Sequence, residues 1–326
     1  MLDFESLGMY SQNDRKHGFM RDLMLSIAAG LLAIVPLAGQ SVPSKPNLEG
    51  LWSNETLTPL ERPRDLAGKA FFTEEEAAAY EKHIVQNRID DPNDGEGNVA
   101  DPKVWWERAV KVVPNRRTSL IVDPPDGRVP ALTPEAQKRM ADQRAAARLH
   151  PADKVTDRSL QERCLLSPTT GPPMLPGPYN NNYQIVQNRD YVMITIEMIH
   201  EVRIIAMDRR THLPPSMRKW LGDSIGHWEN NTLVVDTTNF TDKTRFRGSD
   251  ENLHLIERFT RTGDDAILYE FTVDDPTAFV APWKAEIPMR RSAGPMYEFA
   301  CHEGNFALAR MLSIARQAEA AAALGK

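Results

Sequence analysis

The chain has 326 residues, 41% of them hydrophobic, with 39 Lys+Arg against 45 Asp+Glu. That length and composition supply a sizeable core and exclude a chain disordered throughout, and the net charge of −6 leaves no basic footprint for nucleic acid or an anionic membrane. The 24 prolines, many of them between residues 43 and 178, exclude a regular helical layer there and predict long ordered loops on a scaffold.

In chain order, the first element is the apolar run from Leu23 to Leu37, which follows Arg15, Lys16 and Arg21 and ends in the small residues Ala38 and Gly39. It is shorter than the ~18 apolar residues of a transmembrane helix and reads as a secretory signal peptide, with residues 1–40 removed and the mature chain periplasmic or secreted. Met20 offers an alternative start. Gln40 stands where a lipoprotein needs Cys, so no membrane attachment is expected after cleavage. The two cysteines, Cys164 and Cys301, both lie beyond this segment. In an oxidising compartment they are expected to pair; the alternative is two thiols, with Cys301 beside His302 as a nucleophile or metal ligand.

Residues 41–158 read as a Pro-rich, helical covering segment. Gly50-Leu51-Trp52 matches the G-x-W of the first strand of lipocalin-type barrels. Thr73 with Glu76 forms a capping box ahead of a helix reaching about Gln86, and Thr133 followed by Pro134 starts a second helix ending near Leu149. Between them SLIVDPPDGRVP reads as strand, turn, strand.

Residues 159–326 read as an antiparallel β domain with a C-terminal helix. Strands are expected at 183–187, 191–199, 201–207, 232–238, 253–261, 266–273 and 283–289, with tight turns at Asn230-Asn231 and Gly263-Asp264. The fold class is therefore mainly β, an antiparallel meander forming a barrel or barrel-like sandwich, calycin-like in outline, with N-terminal helices. Each strand has an apolar face and a mixed one, and the mixed face is expected to line the inside. The last helix opens at Gly304-Asn305, carries Leu308, Met311, Leu312 and Ala315 at helical spacing, and stops before Gly325.

The words SLQERCLL, GPPMLPGPYNNNYQIVQ, EMIHEVRII, HLPPSMRKWLGDS, HWENNTLVVDTTNFTDKTRFRGS, ENLHLIERFTR, LYEFTVDDP and YEFACHEGN, within residues 110–305, resemble a largely uncharacterised family of exported bacterial proteins. Two turns depart from its pattern: Asp208-Arg209-Arg210-Thr211-His212 stands where D-G-R-P-H is usual, and Trp228-Glu229-Asn230-Asn231-Thr232 where W-E-G-D-T is. The resemblance brings no catalytic residue with it.

Several short motifs carry little. Gly222-Asp223-Ser224-Ile225-Gly226 matches G-x-S-x-G, but a nucleophile elbow needs a strand before it and a helix after it, and here a hairpin follows. Ser216-Met217-Arg218-Lys219 matches S-x-x-K without the companion K-T-G. No metal spacing and no nucleotide fingerprint is present, so no cofactor and no metal are expected, with an ion assembled by the fold from His200, His254 and His302 left open.

Charged residues inside apolar strands are costly unless paired, and they mark the candidates. Glu197, His200, Glu257 and His302 are the candidate catalytic residues, with His302 near the N-terminus of the last helix. Tyr179, Asn181, Tyr183, Asp236, His254 and Arg258 are the candidate ligand-binding residues. The expected function is a cofactor-free acid–base enzyme (lyase, isomerase or hydrolase) acting on a small, partly apolar organic molecule. The alternatives are a non-catalytic lipocalin-like carrier and an envelope interaction protein. The first two require a cavity with convergent polar groups; the third requires a filled barrel and an exposed apolar patch.

Overall fold

A computed structural model describes residues 47–87, 109–208 and 211–325. The signal-like segment and Arg209-Arg210 lie outside the described residues. The strands are β1 (Gly50–Ser53), β2 (Ile121–Asp123), β3 (Asn182–Gln187), β4 (Tyr191–Ile196), β5 (Val202–Met207), β6 (Asp223–Glu229), β7 (Thr232–Thr238), β8 (His254–Gly263), β9 (Ala266–Asp274) and β10 (Trp283–Arg291). Sheet order is β1-β3-β4-β5-β6-β7-β8-β9-β10, and β1 also pairs with β10, so nine strands close into a barrel while β2 adds to β10 from outside the ring. Trp52 of β1 lies opposite both Tyr183 and Arg291. The closing strand thus comes from the Pro-rich covering segment, and the barrel is not confined to residues 159–326.

Among the described residues three α-helices accompany it. The first, α1 (Glu74–Gln86), starts on the expected box: the Glu76 amide donates to the Thr73 hydroxyl at 3.2 Å, and the Thr73 amide donates to the Glu76 carboxylate at 2.9 Å. The second, α2 (Pro134–Leu149), has Thr133 as its cap and Pro134 in its first turn. The third, α3 (Phe306–Ala323), is capped by Asn305. No helix among the described residues is long and apolar enough to cross a membrane.

Four expectations are corrected. The meander is broken once, because β5 and β6 run parallel with Ile205 opposite Ser224; a parallel pair needs a crossover, and residues 208–222 supply it. The strand expected over 191–199 stops at Ile196, where Ile199 and His200 take positive φ (65° and 56°) and make a tight turn. In the SLIVDPPDGRVP segment only Ile121–Asp123 is a strand, and Leu132 keeps a single bridge to Phe279. The polar Asp223–Glu229 is itself a strand. It hides because Gly226 replaces an apolar residue: a Cβ there would come within 2.8 Å of Ile205 and 3.0 Å of Met207.

The interior is also the reverse of the expected one. Leu255, Phe259, Ile267, Tyr269, Phe271 and Val273 are all at most 1% exposed, and the mixed face points out. Strands of a barrel this narrow bring their inward side chains into mutual contact, so apolar residues fill the lumen. Met174, on the loop between Gly171 and Pro178, is fully buried in the same core. Phe246, Phe271 and Phe279 surround Trp283 at centroid distances of 5.6–6.0 Å.

The disulfide between Cys164 and Cys301, with Cα atoms 5.6 Å apart, ties the segment before α3 to the Ser159–Leu166 turn. Asn305 reinforces it by donating to the Glu162 carbonyl at 3.0 Å, and Arg316 of α3 donates to the Ala152 and Asp153 carbonyls.

Candidate functional site

Three polar constellations lie on this frame, and the first is inside the barrel. Arg203 of β5 reaches across the lumen to Glu257 of β8 as a two-pronged ion pair, with both side chains at most 2% exposed. Its remaining donors go to the Ser224 hydroxyl (3.1 and 3.0 Å) and the Thr237 hydroxyl (2.8 Å). The Tyr269 hydroxyl donates to Glu257 at 2.7 Å and accepts the Met174 amide at 3.0 Å. Burial first, then the Glu257 charge, push the Tyr269 phenol well above its usual range. Every member is hydrogen-bonded within the protein, which is how a buried pair tolerates the loss of water. Ser224 is therefore a buried ligand of Arg203 and does not sit on a nucleophile elbow.

Glu197 is a second buried carboxylate, at the end of β4. It accepts from the Asn182 amide (3.3 Å) and side chain (3.0 Å) and from the Tyr297 amide (2.9 Å), holding the C-terminal segment onto the barrel rim. The turn that follows leaves His200 exposed while Glu197 is buried. Tyr183 is buried, donates to the Thr169 carbonyl at 3.3 Å, and has its phenol raised by burial. Asn181 closes a ring with Gly177, accepting its amide at 2.7 Å and donating to its carbonyl at 3.1 Å. Tyr179 packs on the core beside it. These residues shape the loop that carries Met174.

The second constellation is on the outer wall. Asp236 of β7 and His254 of β8 point outward, and Asp236 Oδ1 lies 3.1 Å from Nε2 of His254 and 3.1 Å from Nε2 of His212. His212 Nδ1 meets Asp223 at 3.2 Å, and Asp223 also takes the Lys219 ammonium (3.1 Å) and the Leu213 amide (2.9 Å). Both ring nitrogens of His212 thus face carboxylates. The hydrogen bond to Asp236 raises the pKa of His254 against an opposing contribution from burial. The same bond holds the Asp236 carboxyl below its usual range. Burial opposes ionisation of Asp223, but the Leu213 amide, Lys219 and His212 together outweigh it and lower its pKa. Lys219, Asp223, His212, Asp236 and His254 thus form a line of alternating basic and acidic side chains, Asp223 buried and the others partly exposed. Among the described residues, no group of three or more His, Cys, Asp or Glu side chains is arranged to hold a metal ion.

The third is a cleft of about 1130 Å³ between α2, the Lys154–Pro173 segment and the Trp220 and Asp242–Phe246 loops. A smaller one of about 470 Å³ shares Pro168, Arg245 and Phe246 with it. The larger cleft has apolar walls from Leu166, Pro172, Trp220 and Phe246, carboxylates from Asp153, Asp157 and Asp242, and a majority of cationic groups, among them Arg163, Lys243 and Arg245. No carboxylate among the described residues pairs with those three.

Of the sequence candidates, the fold joins Asp236 with His254, and it joins Glu257 to groups that sequence did not single out. Glu197, His200, Glu257 and His302 do not share one cavity: Glu197 and Glu257 belong to separate buried networks, and His302 is exposed beside the disulfide. Arg258 pairs with Glu229 on the outer wall at 3.0 Å. Sequence reading missed Arg203, whose only signal was a charge between Val202 and Ile204, and it missed His212 and Asp223, which lie in or beside a connection with no periodicity. Comparisons with protein-family models, curated proteins and solved structures gave no match to this chain.

Proposed function

We propose that the protein is exported and binds a small, partly apolar organic anion in the cleft between α2, the Lys154–Pro173 segment and the Asp242–Phe246 loop, with the barrel acting as a rigid scaffold. The observation that carries this reading is Arg163, half-buried in the cleft wall and paired with no carboxylate among the described residues, beside Lys243 and Arg245 and facing apolar walls. Guanidinium groups in such a setting match a carboxylate or phosphate. The filled lumen speaks against carriage inside the barrel.

Acid–base turnover is the second reading, and the Asp236 carboxylate shared by His212 and His254 favours it. Those residues do not line the cleft, so the two readings separate experimentally. Calorimetry and thermal shift against a panel of aromatic and aliphatic carboxylates test the first. The wild type is expected to gain stability, about 2.7 kcal/mol at a hundredfold excess over Kd, and the Arg163→Met/Arg245→Met variant to bind at least about tenfold more weakly. A panel without binding, or equal binding by the variant, overturns it. Loss of turnover in Asp236→Asn with binding intact would assign chemistry to the outer wall.

Export is supported by the Leu23 to Leu37 run, its basic flank and the disulfide. The mature chain is expected to begin between Ala38 and Val42. An intact cytosolic N-terminus overturns export and leaves the cleft untouched.

A further inference from the structure

The two clefts meet at Pro168, Arg245 and Phe246, which bound both of them, and they differ in chemistry. The larger one carries charges of both signs, whereas no Asp or Glu lines the smaller one of about 470 Å³. The walls of the smaller cleft come from Leu57, Leu60, Leu120 and Leu175 and from prolines, which have no amide proton to offer. Its polar side chains are mostly committed within the protein. Thr56 donates to the Lys111 carbonyl at 3.3 Å, and Thr58 accepts the Val113 amide at 3.0 Å and donates to the Arg117 carbonyl at 3.4 Å. Thr169 shares a hydrogen bond with Ser167 at 3.2 Å, and Arg247 pairs with Glu61 at 3.0 Å. The exception is Arg245, at the junction, which pairs with no carboxylate among the described residues. That junction is held by the barrel: Phe246 and Ser249 exchange backbone hydrogen bonds of 2.9 Å, and the Phe246 ring stacks on Trp283 of β10 at a centroid distance of 6.0 Å.

We propose that the smaller cleft takes the aliphatic tail of the anion whose head group is bound in the larger cleft at Arg245, so that the ligand class is a straight-chain monocarboxylate, an amphiphile of the fatty-acid type. The inference rests on the reading of the larger cleft as an anion site and adds the direction and chemistry of the rest of the molecule. A head group held at Arg245 lies at the boundary of the smaller cleft, whose volume falls in the range of roughly 300–1,000 Å³ common for small-molecule sites. A polar tail would exchange water for walls whose hydrogen-bonding side chains are already taken, which is unfavourable. An aliphatic tail gains from the same walls, because each methylene moved out of water tightens binding about three- to fourfold.

Calorimetry of the full mature chain with straight-chain carboxylates from hexanoate to dodecanoate, each below its micelle concentration, tests it. Wild-type affinity is expected to rise about three- to fourfold per added methylene until the cleft is filled, and then to level off. Dodecanedioate, whose second carboxylate would end in the smaller cleft, is expected to bind at least about tenfold more weakly than dodecanoate. Leu60→Trp and Leu175→Trp fill the cleft from separate segments of its wall, and each is expected to flatten the dependence to less than about twofold per methylene, with thermal melts showing that the variants are folded. Carboxylates that bind through Arg163 and Arg245 with an affinity independent of chain length overturn this inference and leave the anion site standing. A chain-length dependence unchanged in both folded variants overturns it too, as does dodecanedioate that binds as tightly as dodecanoate, which would give the smaller cleft to a second polar group. Absence of binding by every carboxylate, or binding unaffected by Arg163→Met/Arg245→Met, overturns the anion site itself and this inference with it.

Discussion

The amide of Met174 donates a 3.0 Å hydrogen bond to the phenolic oxygen of Tyr269, whose own proton goes to Glu257. The loop that carries Met174 is therefore fastened to the buried polar cluster inside the barrel. Tyr269→Phe removes both bonds while keeping the ring, leaving a buried amide without an acceptor. The expected cost is about 1–3 kcal/mol, with faster hydrogen exchange at the Met174 amide. Unchanged exchange there would show that the loop is held by other contacts.

Removing one partner of the Arg203–Glu257 pair strands the other charge in the core. Arg203→Met is expected to cost about 3–5 kcal/mol in denaturant unfolding, and Arg203→Met/Glu257→Leu should recover much of that. A double variant no better than the single one would mean that packing across the lumen outweighs the stranded charge.

Glu197 and His200 should behave differently from each other. Glu197→Gln keeps the shape but weakens charge-assisted bonds to Asn182 and Tyr297, and the thermal midpoint should fall by an amount corresponding to about 1–3 kcal/mol. His200 is exposed, so His200→Asn should lie within about 0.5 kcal/mol of the wild type. Equal losses in the two variants would tie the side chains together after all.

The Asp236–His254 pair makes a pH prediction. His254 is raised above 6.5, so its contribution is complete below that value and is lost as pH climbs through the folded-state pKa. Asp236 is lowered below 3.8, so its contribution is complete above that value and is lost as pH falls through its folded-state pKa. Asp236→Asn should therefore cost most between those two limits and progressively less on the alkaline side. Because both groups are about a third exposed, the amount should stay below about 1 kcal/mol. NMR titration of the His254 ring should show a wild-type midpoint above 6.5 that drops in the variant.

The disulfide closes a loop with a sequence separation of 137. Alkylation of protein recovered from an oxidising compartment should modify neither cysteine until reductant is added. Cys164→Ala/Cys301→Ala should lose up to about 5 kcal/mol, with protease cleavage appearing first around α3. A doubly alkylated unreduced sample would place the chain in a reducing environment.

The capping box of α1, the proline at the start of α2, the hairpin at Asn230-Asn231 and the alternation in β7 to β10 were all legible, because each depends on residues within a few positions of one another. Alternation also divided each expected strand into two faces. It could not say which face was inside, and the mixed face was assigned there wrongly. Inside and outside exist only once β1, more than a hundred residues before β3, closes the ring. The same holds for the candidate sites. Sequence marked Glu257, Asp236 and His254 as polar residues in apolar surroundings, since an unpaired charge there would be costly. Their partners, Arg203 across the lumen and His212 from the β5–β6 crossover, are fixed by strand order, by the one parallel pair and by the path of a connection that carries no periodic signal. Local spacing determined the elements and their faces, and tertiary closure decided which groups meet.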